Sequence, residues 1–133
     1  MAQHRQILIV DDDPVVLLIL RATLERMANG YLIVATSNGA EALAEIDDTP
    51  FDLVVTDVRM PGIDGIELVE EIRARKIDTP VIWITAHGCY NLQAESARLD
   101  VYRCLDKPLR IEKIREAARQ AMGLIPAPEE KDG

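Results

Sequence analysis

The fold of this chain can be inferred outward from one segment, Asp52-Leu53-Val54-Val55-Thr56-Asp57-Val58-Arg59-Met60-Pro61-Gly62. The apolar run at 53–55 is rich in β-branched residues and predicts a buried strand, and Met60-Pro61-Gly62 predicts the turn that ends it. Asp57 is therefore expected at the carboxyl end of an interior strand. Because an unpartnered buried carboxylate is costly, the rest of the chain should supply Asp57 with partners.

Four other segments also predict strands, namely 6–10, 31–36, 81–85 and 101–105. Apolar residues at helical spacing follow each strand, and Asp13-Pro14 is typical of a helix start, with an N-cap carboxylate and a proline in the first turn. The fourth helix, expected over 90–99, offers few apolar residues and should pack least firmly. Strands that alternate with helices predict an α/β fold, a flavodoxin-like, doubly wound sheet of five parallel strands in the order 2-1-3-4-5 with five helices.

Length and composition indicate one globular domain, since the chain has 133 residues, of which 48% are hydrophobic and 29% charged. The net charge of -8 disfavours direct binding to nucleic acid or to an anionic membrane surface. No apolar run approaches the roughly 20 residues that span a bilayer, and no signal peptide is recognisable. We therefore expect a cytoplasmic location without membrane contact.

The two cysteines, Cys89 and Cys104, lack the close spacing of a CxxC motif or of a Cys/His metal site. The sequence therefore favours two free thiols over a disulfide or a metal site. Cys104 is expected to be a small apolar packing residue rather than a redox sensor.

Polar side chains stand at the ends of four of the predicted strands. Asp11 and Asp12 end the first strand, Asp57 the third and Thr85 the fourth, and Lys107 follows the fifth. Parallel strands bring these ends to one edge of the sheet, at the point where the strand order reverses. Each pair of carboxylates about 4 Å apart would repel by about 4 kcal/mol at an effective dielectric constant near 20, unless a cation or a proton intervened. Oxygen ligands without histidine or cysteine favour Mg²⁺, with Mn²⁺ as a possible substitute.

This set of groups is suited to phosphoryl chemistry. A carboxylate beside a divalent cation, a lysine and a hydroxyl can attack phosphorus, because its neighbours neutralise or hydrogen-bond the oxygens of the transferring group. The expected product is an acyl phosphate on Asp57.

The chain resembles the response-regulator receiver domains of bacterial two-component signalling over residues 6–122. The resemblance is carried in order by four motifs, which are Ile7-Leu8-Ile9-Val10-Asp11-Asp12-Asp13-Pro14, Asp57-Val58-Arg59-Met60-Pro61-Gly62-Ile63-Asp64-Gly65, Ile84-Thr85-Ala86 and Lys107-Pro108. The domain is expected to cover residues 1–123, with 124–133 as a Pro-rich, charged tail or truncated linker. No effector domain is expected in so short a remainder, so the chain is either a stand-alone receiver or one module of a larger regulator.

The resemblance implies a role for each acidic residue of the site. Asp57 is similar to the phosphoacceptor that receives phosphoryl from the phosphohistidine of a histidine kinase or phosphotransfer protein. Asp12 resembles the direct Mg²⁺ ligand and Asp11 the residue that holds metal-bound water, while the Asp57 carboxylate and the Arg59 backbone carbonyl complete the ligands. Asp13 has no catalytic counterpart, and we assign it to helix capping.

The resemblance also implies how the domain would switch. Thr85 resembles the hydroxyl that moves toward the phosphoryl group, and Lys107 the lysine that pairs with it. Downstream effectors would bind the surface of the fourth helix, fifth strand and fifth helix, and phosphorylation could produce a homodimer. The domain would then be no enzyme beyond catalysing its own phosphorylation and dephosphorylation.

Four positions depart from the usual pattern or vary within it. Cys104 replaces the tyrosine or phenylalanine that precedes the lysine by three residues, so Tyr102 or no ring at all would take over its coupling role. Asp100 stands where glycine is commoner after the fourth helix. Arg59 and His87 resemble variable positions that tune phosphoryl lifetime.

Three other functions were weighed against this one. An aspartate-nucleophile phosphatase would carry a DxDxT pattern, but Asp57-Val58-Arg59 lacks the second aspartate. A flavodoxin-like electron carrier needs a phosphate-binding loop after the first strand, where Asp11-Asp12-Asp13 would repel a flavin phosphate. A degenerate receiver that only binds proteins is disfavoured by the intact set of acidic, hydroxyl and lysine residues.

Overall fold

Five parallel strands form one sheet in the order β2-β1-β3-β4-β5, as the sequence predicted. The computed structural model describes residues 5–27, 30–86 and 88–127. The strands are β1 (Gln6–Val10), β2 (Leu32–Thr36), β3 (Leu53–Asp57), β4 (Val81–Thr85) and β5 (Arg103–Asp106). The helices are α1 (Pro14–Glu25), α2 (Gly39–Asp48), α3 (Gly65–Ala74), α4 (Gln93–Arg98) and α5 (Ile111–Ala121), and a 3-10 turn (Cys89–Leu92) precedes α4.

The three central strands are covered on both faces, which explains why their sequences are almost continuously apolar. Every residue of β3 and β4 is buried, and so are four of the five residues of β1. One face packs on α2 and α3 in a core that includes Trp83, Leu68 and Ile72. The other face packs on α1 and α5, with Leu20 and Ile114 among its buried residues. The sheet edge that carries the strand ends is therefore held from both sides.

Capping residues start the helices close to that edge. The Asp13 side chain accepts a hydrogen bond from the Val15 backbone N–H (2.9 Å), with Pro14 as the first residue of α1, which confirms the predicted cap. Asp64 and Glu67 form a reciprocal capping box at the start of α3. The loops after β1 and β3 are thus fixed by local hydrogen bonds.

The predicted fourth helix and fifth strand differ in detail from the structure. The helix expected over 90–99 is divided into the 3-10 turn and α4, and no residue of α4 is buried. Leu92 and Leu99, on either side of α4, supply the buried contacts instead. Asp100 itself adopts the left-handed conformation (φ 54°) expected of the commoner glycine, and β5 begins two residues later than predicted, at Arg103.

The prediction of two free thiols is wrong. Cys89 and Cys104 form a disulfide with a Cα–Cα distance of 5.7 Å. Cys104 is partly buried and packs against the α2–α3 core, as expected, but its sulfur is bonded to Cys89. Spacing along the chain could not show this pairing, because it depends on the turn after β4 lying against β5.

Only part of each end of the chain belongs to the described residues. Residues 124–127 follow α5 and are exposed, whereas 1–4 and 128–133 lie outside the described residues. The boundary between domain and tail at 123 therefore stays a prediction. Within the described ranges, no helix has the length and apolar character needed to cross a membrane.

Candidate functional site

Three aspartates meet at the carboxyl edge of the sheet. Val10 of β1 pairs with Thr56 of β3, so the next residues, Asp11 and Asp57, are neighbours across two paired strands. Asp12 follows in the loop to α1. One carboxylate oxygen from each of the three aspartates lies within 4.8 Å of the others.

The three carboxylates differ in exposure. Asp11 is fully buried and Asp57 is 6% exposed, whereas Asp12 is exposed. Asp11 Oδ1 accepts a hydrogen bond from the Asp13 backbone N–H (2.8 Å), and Asp57 Oδ1 accepts a longer one from the Arg59 N–H (3.4 Å). The backbone thus orients both buried carboxylates and leaves their second oxygens for other partners.

Lys107 supplies the second contact to both buried carboxylates. Its Nζ lies 3.2 Å from Asp11 Oδ2 and 3.3 Å from Asp57 Oδ2. The Lys107 backbone N–H donates to the Thr85 carbonyl (2.8 Å), which fixes the lysine beside the end of β4. The single Lys107 ammonium offsets only part of the charge of the three clustered carboxylates, so an excess of negative charge remains at the site.

Burial and the neighbouring charges shift the pKa values of Asp11 and Lys107. Burial raises the pKa of the Asp11 carboxyl, the Asp13 N–H opposes this, and repulsion from Asp57 raises the pKa further. Burial alone would lower the pKa of Lys107, but attraction to Asp11 and Asp57 outweighs it and the net pKa is raised. Lys107 therefore stays cationic, while the ionised form of Asp11 is disfavoured.

The other residues predicted for the site occupy different places. Thr85 is fully buried at the end of β4, one residue beyond Ile84, which pairs with Asp57. The Arg59 side chain is exposed just after β3, and His87 lies outside the described residues. Tyr102 precedes β5 and lies with its ring 6.0 Å from the Arg103 guanidinium, so its proposed coupling role stays a hypothesis.

Gly65 positions the backbone of Asp57, a role that sequence reasoning missed. Its N–H donates to the Val58 carbonyl (2.9 Å), and a Cβ at Gly65 would lie against the Asp57 carbonyl and 2.8 Å from Val58 Cα. Trp83 Nε1 donates to the Gly65 carbonyl (3.2 Å), fixing the same point from β4. The only sequence signal was a glycine directly after the α3 cap Asp64, where a side chain would be expected.

The donor set fits a hard divalent cation. Three carboxylates supply oxygen ligands within one cation's reach, one of them ionises reluctantly, and Lys107 offsets only part of the charge. Such a set suits Mg²⁺ or Mn²⁺ rather than Zn²⁺ or copper, because the cluster has no nitrogen or sulfur ligand. The acidic cluster could therefore bind a metal ion.

The sequence model of one family, the response regulator receiver domain, matches residues 7–119. The chain belongs to this family. The match covers the sheet, every strand end of the site and nearly all of α5. The receiver fold predicted from the sequence is thereby confirmed, together with a place in two-component signal transduction.

Curated relatives include longer regulators of Pseudomonas aeruginosa. The C4-dicarboxylate transport transcriptional regulatory protein DctD is 40% identical over 119 residues, a match covering 88% of this chain and 25% of DctD. The positive alginate biosynthesis regulatory protein is 38% identical over 120 residues, covering 86% of this chain and 46% of that protein. The receiver domain described here thus spans a quarter to somewhat under half of these relatives.

Solved structures show the same fold over almost the whole chain. FixJ-N is 30% identical with a TM-score of 0.80, covering 95% of this chain and 99% of that one. The chemotaxis response regulator CheY4 of Vibrio cholerae is 26% identical with a TM-score of 0.80, covering 90% and 99%. Members of this family are signalling domains and generally not enzymes.

Replacing Asp11 by asparagine should change how stability depends on pH in metal-free buffer. Because the folded pKa of Asp11 is raised, the folded wild type binds this proton more tightly than the unfolded chain, so the Asp11 carboxyl costs stability as pH rises above its unfolded pKa. Relative to wild type, Asp11→Asn should therefore gain free energy of unfolding as pH rises from about 4 to 7. Urea denaturation in EDTA at several pH values measures this.

Asp47→Asn serves as a control of opposite sign. A hydrogen bond from Arg75 lowers the pKa of Asp47, so the wild-type carboxyl contributes stability above its unfolded pKa and loses it as pH falls. This variant should therefore lose stability relative to wild type as pH rises. A pH-independent difference between Asp11→Asn and wild type would contradict the electrostatic description of the site.

Proposed function

We propose that this receiver domain accepts a phosphoryl group on Asp57 from a phosphohistidine, in a reaction that requires Mg²⁺, and that phosphorylation switches a partner-binding surface. The observation that supports this best is the contact of Lys107 Nζ with both Asp11 and Asp57, beside Asp12 within the same carboxylate cluster. One ammonium offsets only part of the charge of three clustered carboxylates, so a repulsion remains that a divalent cation would relieve.

Asp57 is the proposed nucleophile. One of its carboxylate oxygens forms a bond to phosphorus while the bond from phosphorus to the donor histidine nitrogen breaks, and the electron pair of that bond stays on the imidazole. The Arg59 N–H holds Oδ1, and the surrounding sheet fixes the carboxylate at the surface end of a buried strand. Phosphorylation would therefore change the charge at an otherwise rigid position.

Asp11, Asp12 and Asp57, with the Arg59 backbone carbonyl, are the proposed ligands of Mg²⁺, and Mn²⁺ would suit the same oxygens. When bound, the ion would neutralise charge on the carboxylates and on the phosphoryl oxygens. Asp11 and Asp12 directly follow β1, whose last residue, Val10, is paired with β3, so the site does not need to be assembled when the donor arrives.

Lys107 and Thr85 are proposed to act on the phosphoryl oxygens. The Lys107 ammonium already contacts Asp57 Oδ2, and its raised pKa keeps it charged at neutral pH. Thr85 lies on the neighbouring strand, where its hydroxyl could reach a phosphoryl oxygen after a small movement of the strand end. Together they would stabilise the phosphorylated product. Because Thr85 ends β4 and Lys107 follows β5, their movement toward the phosphoryl group would also shift the ends of these two strands.

The output is proposed to pass through the surface of α4, β5 and α5, either to an effector or to a second copy of the chain. The C-terminal end of β5 leads directly to Lys107, and the loop after β4 starts at Thr85, so this surface is next to the site in the chain. We place the reaction in the cytoplasm and assign the domain no direct contact with DNA, in keeping with its net charge of -8.

The phosphohistidine donor is proposed to dock on the exposed apolar face of α1. Val15, Leu18 and Ile19 are 60%, 67% and 40% exposed and follow one another at helical spacing. Their helix begins at Pro14, directly after the three acidic residues that follow β1. A helical partner packed on this stripe would bring a histidine to the edge where Asp57 lies.

Incubation with acetyl phosphate and Mg²⁺ should add one phosphoryl group to the wild-type chain, detected as a mass increase of the intact protein. Asp57→Asn should show none, and EDTA or Lys107→Ala should slow the reaction at least about tenfold, as expected when one charged group that contacts the transferring phosphoryl is lost. The exposed Asp48, the last residue of α2, provides the matched control Asp48→Asn, which should behave as wild type. Equal labelling of Asp57→Asn would refute the proposed acceptor, and an unlabelled wild type would favour a degenerate receiver.

Leu18→Glu should impair phosphorylation by a protein donor but not by acetyl phosphate. With a phosphorylated histidine kinase selected for transfer to the wild-type chain, the rate at limiting donor should fall about tenfold, the effect of losing roughly 1.4 kcal/mol of binding. Leu124→Glu makes the same chemical change at an exposed leucine beyond α5 and should leave both rates unchanged. Equal transfer to both variants would exclude the α1 face as the docking site.

A further inference from the structure

The disulfide between Cys89 and Cys104 joins two segments that are close in sequence to two residues of the proposed phosphorylation site, Thr85 and Lys107. Cys89 comes four residues after Thr85 and opens the 3-10 turn, and Cys104 lies in β5, three residues before Lys107. The ring that the disulfide closes contains the 3-10 turn, all of α4 and the start of β5. The bond therefore joins the turn that follows β4 to β5, the strand that leads to Lys107.

The enclosed segment contacts the rest of the domain mainly at its C-terminal side. None of the six residues of α4 is buried, Leu92 is the one buried residue before it, and beyond α4 Leu99 and Val101 reach the core and Arg73 of α3 donates to the Leu99 carbonyl (3.0 Å). The Cys89 backbone N–H also donates to Asp106 Oδ1 (2.8 Å), which links the turn to the end of β5. A covalent link contributes most to order where packing is weak, so the disulfide is a main restraint on the 3-10 turn and the start of α4.

Neither cysteine of the disulfide is buried. Cys89 and Cys104 are both partly exposed. Cys104 also lines an open groove of about 440 Å³ along β5 and α5, whose walls include Lys107 and Arg110. Accessible disulfides exchange with thiols, and disulfides in cytoplasmic proteins are usually transient or redox-sensing.

We propose that Cys89 and Cys104 form a reversible thiol–disulfide site that controls how far α4 and the 3-10 turn rearrange when Asp57 is phosphorylated. The proposal rests on the proposed function. In the disulfide form, the turn after β4 is tied to β5, which restrains movement at Thr85 and weakens the response to phosphorylation. In the dithiol form, the turn is held by noncovalent contacts alone, among them the hydrogen bond to Asp106, and α4 responds more fully.

The redox step needs a dithiol reductant. A thiolate of the reductant attacks one sulfur of the pair, forming a mixed disulfide and releasing the other cysteine as a thiolate. The second thiol of the reductant then displaces the first cysteine. Two electrons and two protons pass to Cys89 and Cys104, which become thiols, and the reductant becomes a disulfide.

The two events should be linked reciprocally. If reduction tightens binding of beryllofluoride, a phosphoryl mimic, about tenfold, then beryllofluoride must favour reduction by the same factor. For this two-electron couple a tenfold change corresponds to a shift of about 30 mV in midpoint potential.

Hydrogen exchange of the 3-10 turn and α4, followed by mass spectrometry on the oxidised and the dithiothreitol-reduced chain, tests the proposal. Without ligand, exchange in this segment should be about tenfold faster in the reduced chain, because a local restraint has been removed. With Mg²⁺ and beryllofluoride, the change in exchange should be larger in the reduced chain and the beryllofluoride midpoint about tenfold lower.

Two serine variants test whether the effect comes from the disulfide bond or from one cysteine side chain. Cys89→Ser and Cys104→Ser each remove the bond from a different element, and both should match the reduced wild type and show no response to dithiothreitol. Reduction of the wild type gives the same comparison without any substitution if a variant fails to fold.

The outcomes distinguish this inference from the proposed function. Identical exchange in the oxidised and reduced chains would overturn the restraint. Faster exchange with identical beryllofluoride midpoints would overturn the coupling to Asp57. If beryllofluoride binds neither form, the proposed phosphoacceptor function fails, whereas the exchange difference without ligand still decides whether the disulfide restrains α4.

Discussion

Like charges are forced together in this domain by the parallel pairing of β1 with β3. The register that places Val10 beside Thr56 leaves Asp11 and Asp57 as neighbours at the end of two buried strands. The strands cannot slip to relieve the repulsion, because a shift of one residue would move each apolar side chain to the opposite face of the sheet, away from the helix layer on which it packs. The energy gained from burying the centre of the sheet therefore maintains an unfavourable charge cluster at its edge.

Lys107 neutralises part of the charge of that cluster. Lys107 contacts both buried carboxylates from the end of β5, and its backbone N–H is fixed by the carbonyl of Thr85 on β4. The balance stays negative, so the site could bind a cation, and in the proposed function that cation would lie beside the phosphoryl group. Stability that an apolar edge would have provided is given up where function needs charge.

Most of the fold could be predicted from the sequence because periodicity reports burial directly. The all-apolar strands, the alternation with helices and the residues Asp57 and Lys107 at strand ends were sufficient to infer the sheet order and the position of the site. The disulfide and the division of the fourth helix could not be inferred. Both depend on how the turn at Cys89 lies against Cys104 in three dimensions, and neither residue spacing nor composition encodes that. Gly65 was missed for a related reason, since its close approach to Asp57 involves backbone atoms.

Magnesium titration of the wild type, Asp12→Asn and Asp48→Asn by isothermal calorimetry tests most directly whether the carboxylate cluster requires a divalent cation. Asp12 is the exposed member of the cluster, so its substitution should leave the fold intact while removing one ligand. We expect one Mg²⁺ per chain for the wild type and for Asp48→Asn, and at least about tenfold weaker binding for Asp12→Asn, the loss usual when a metal site is disturbed. Thermal unfolding with and without Mg²⁺ should show stabilisation of the same two proteins. Equal affinity in all three, or none in any, would contradict the account.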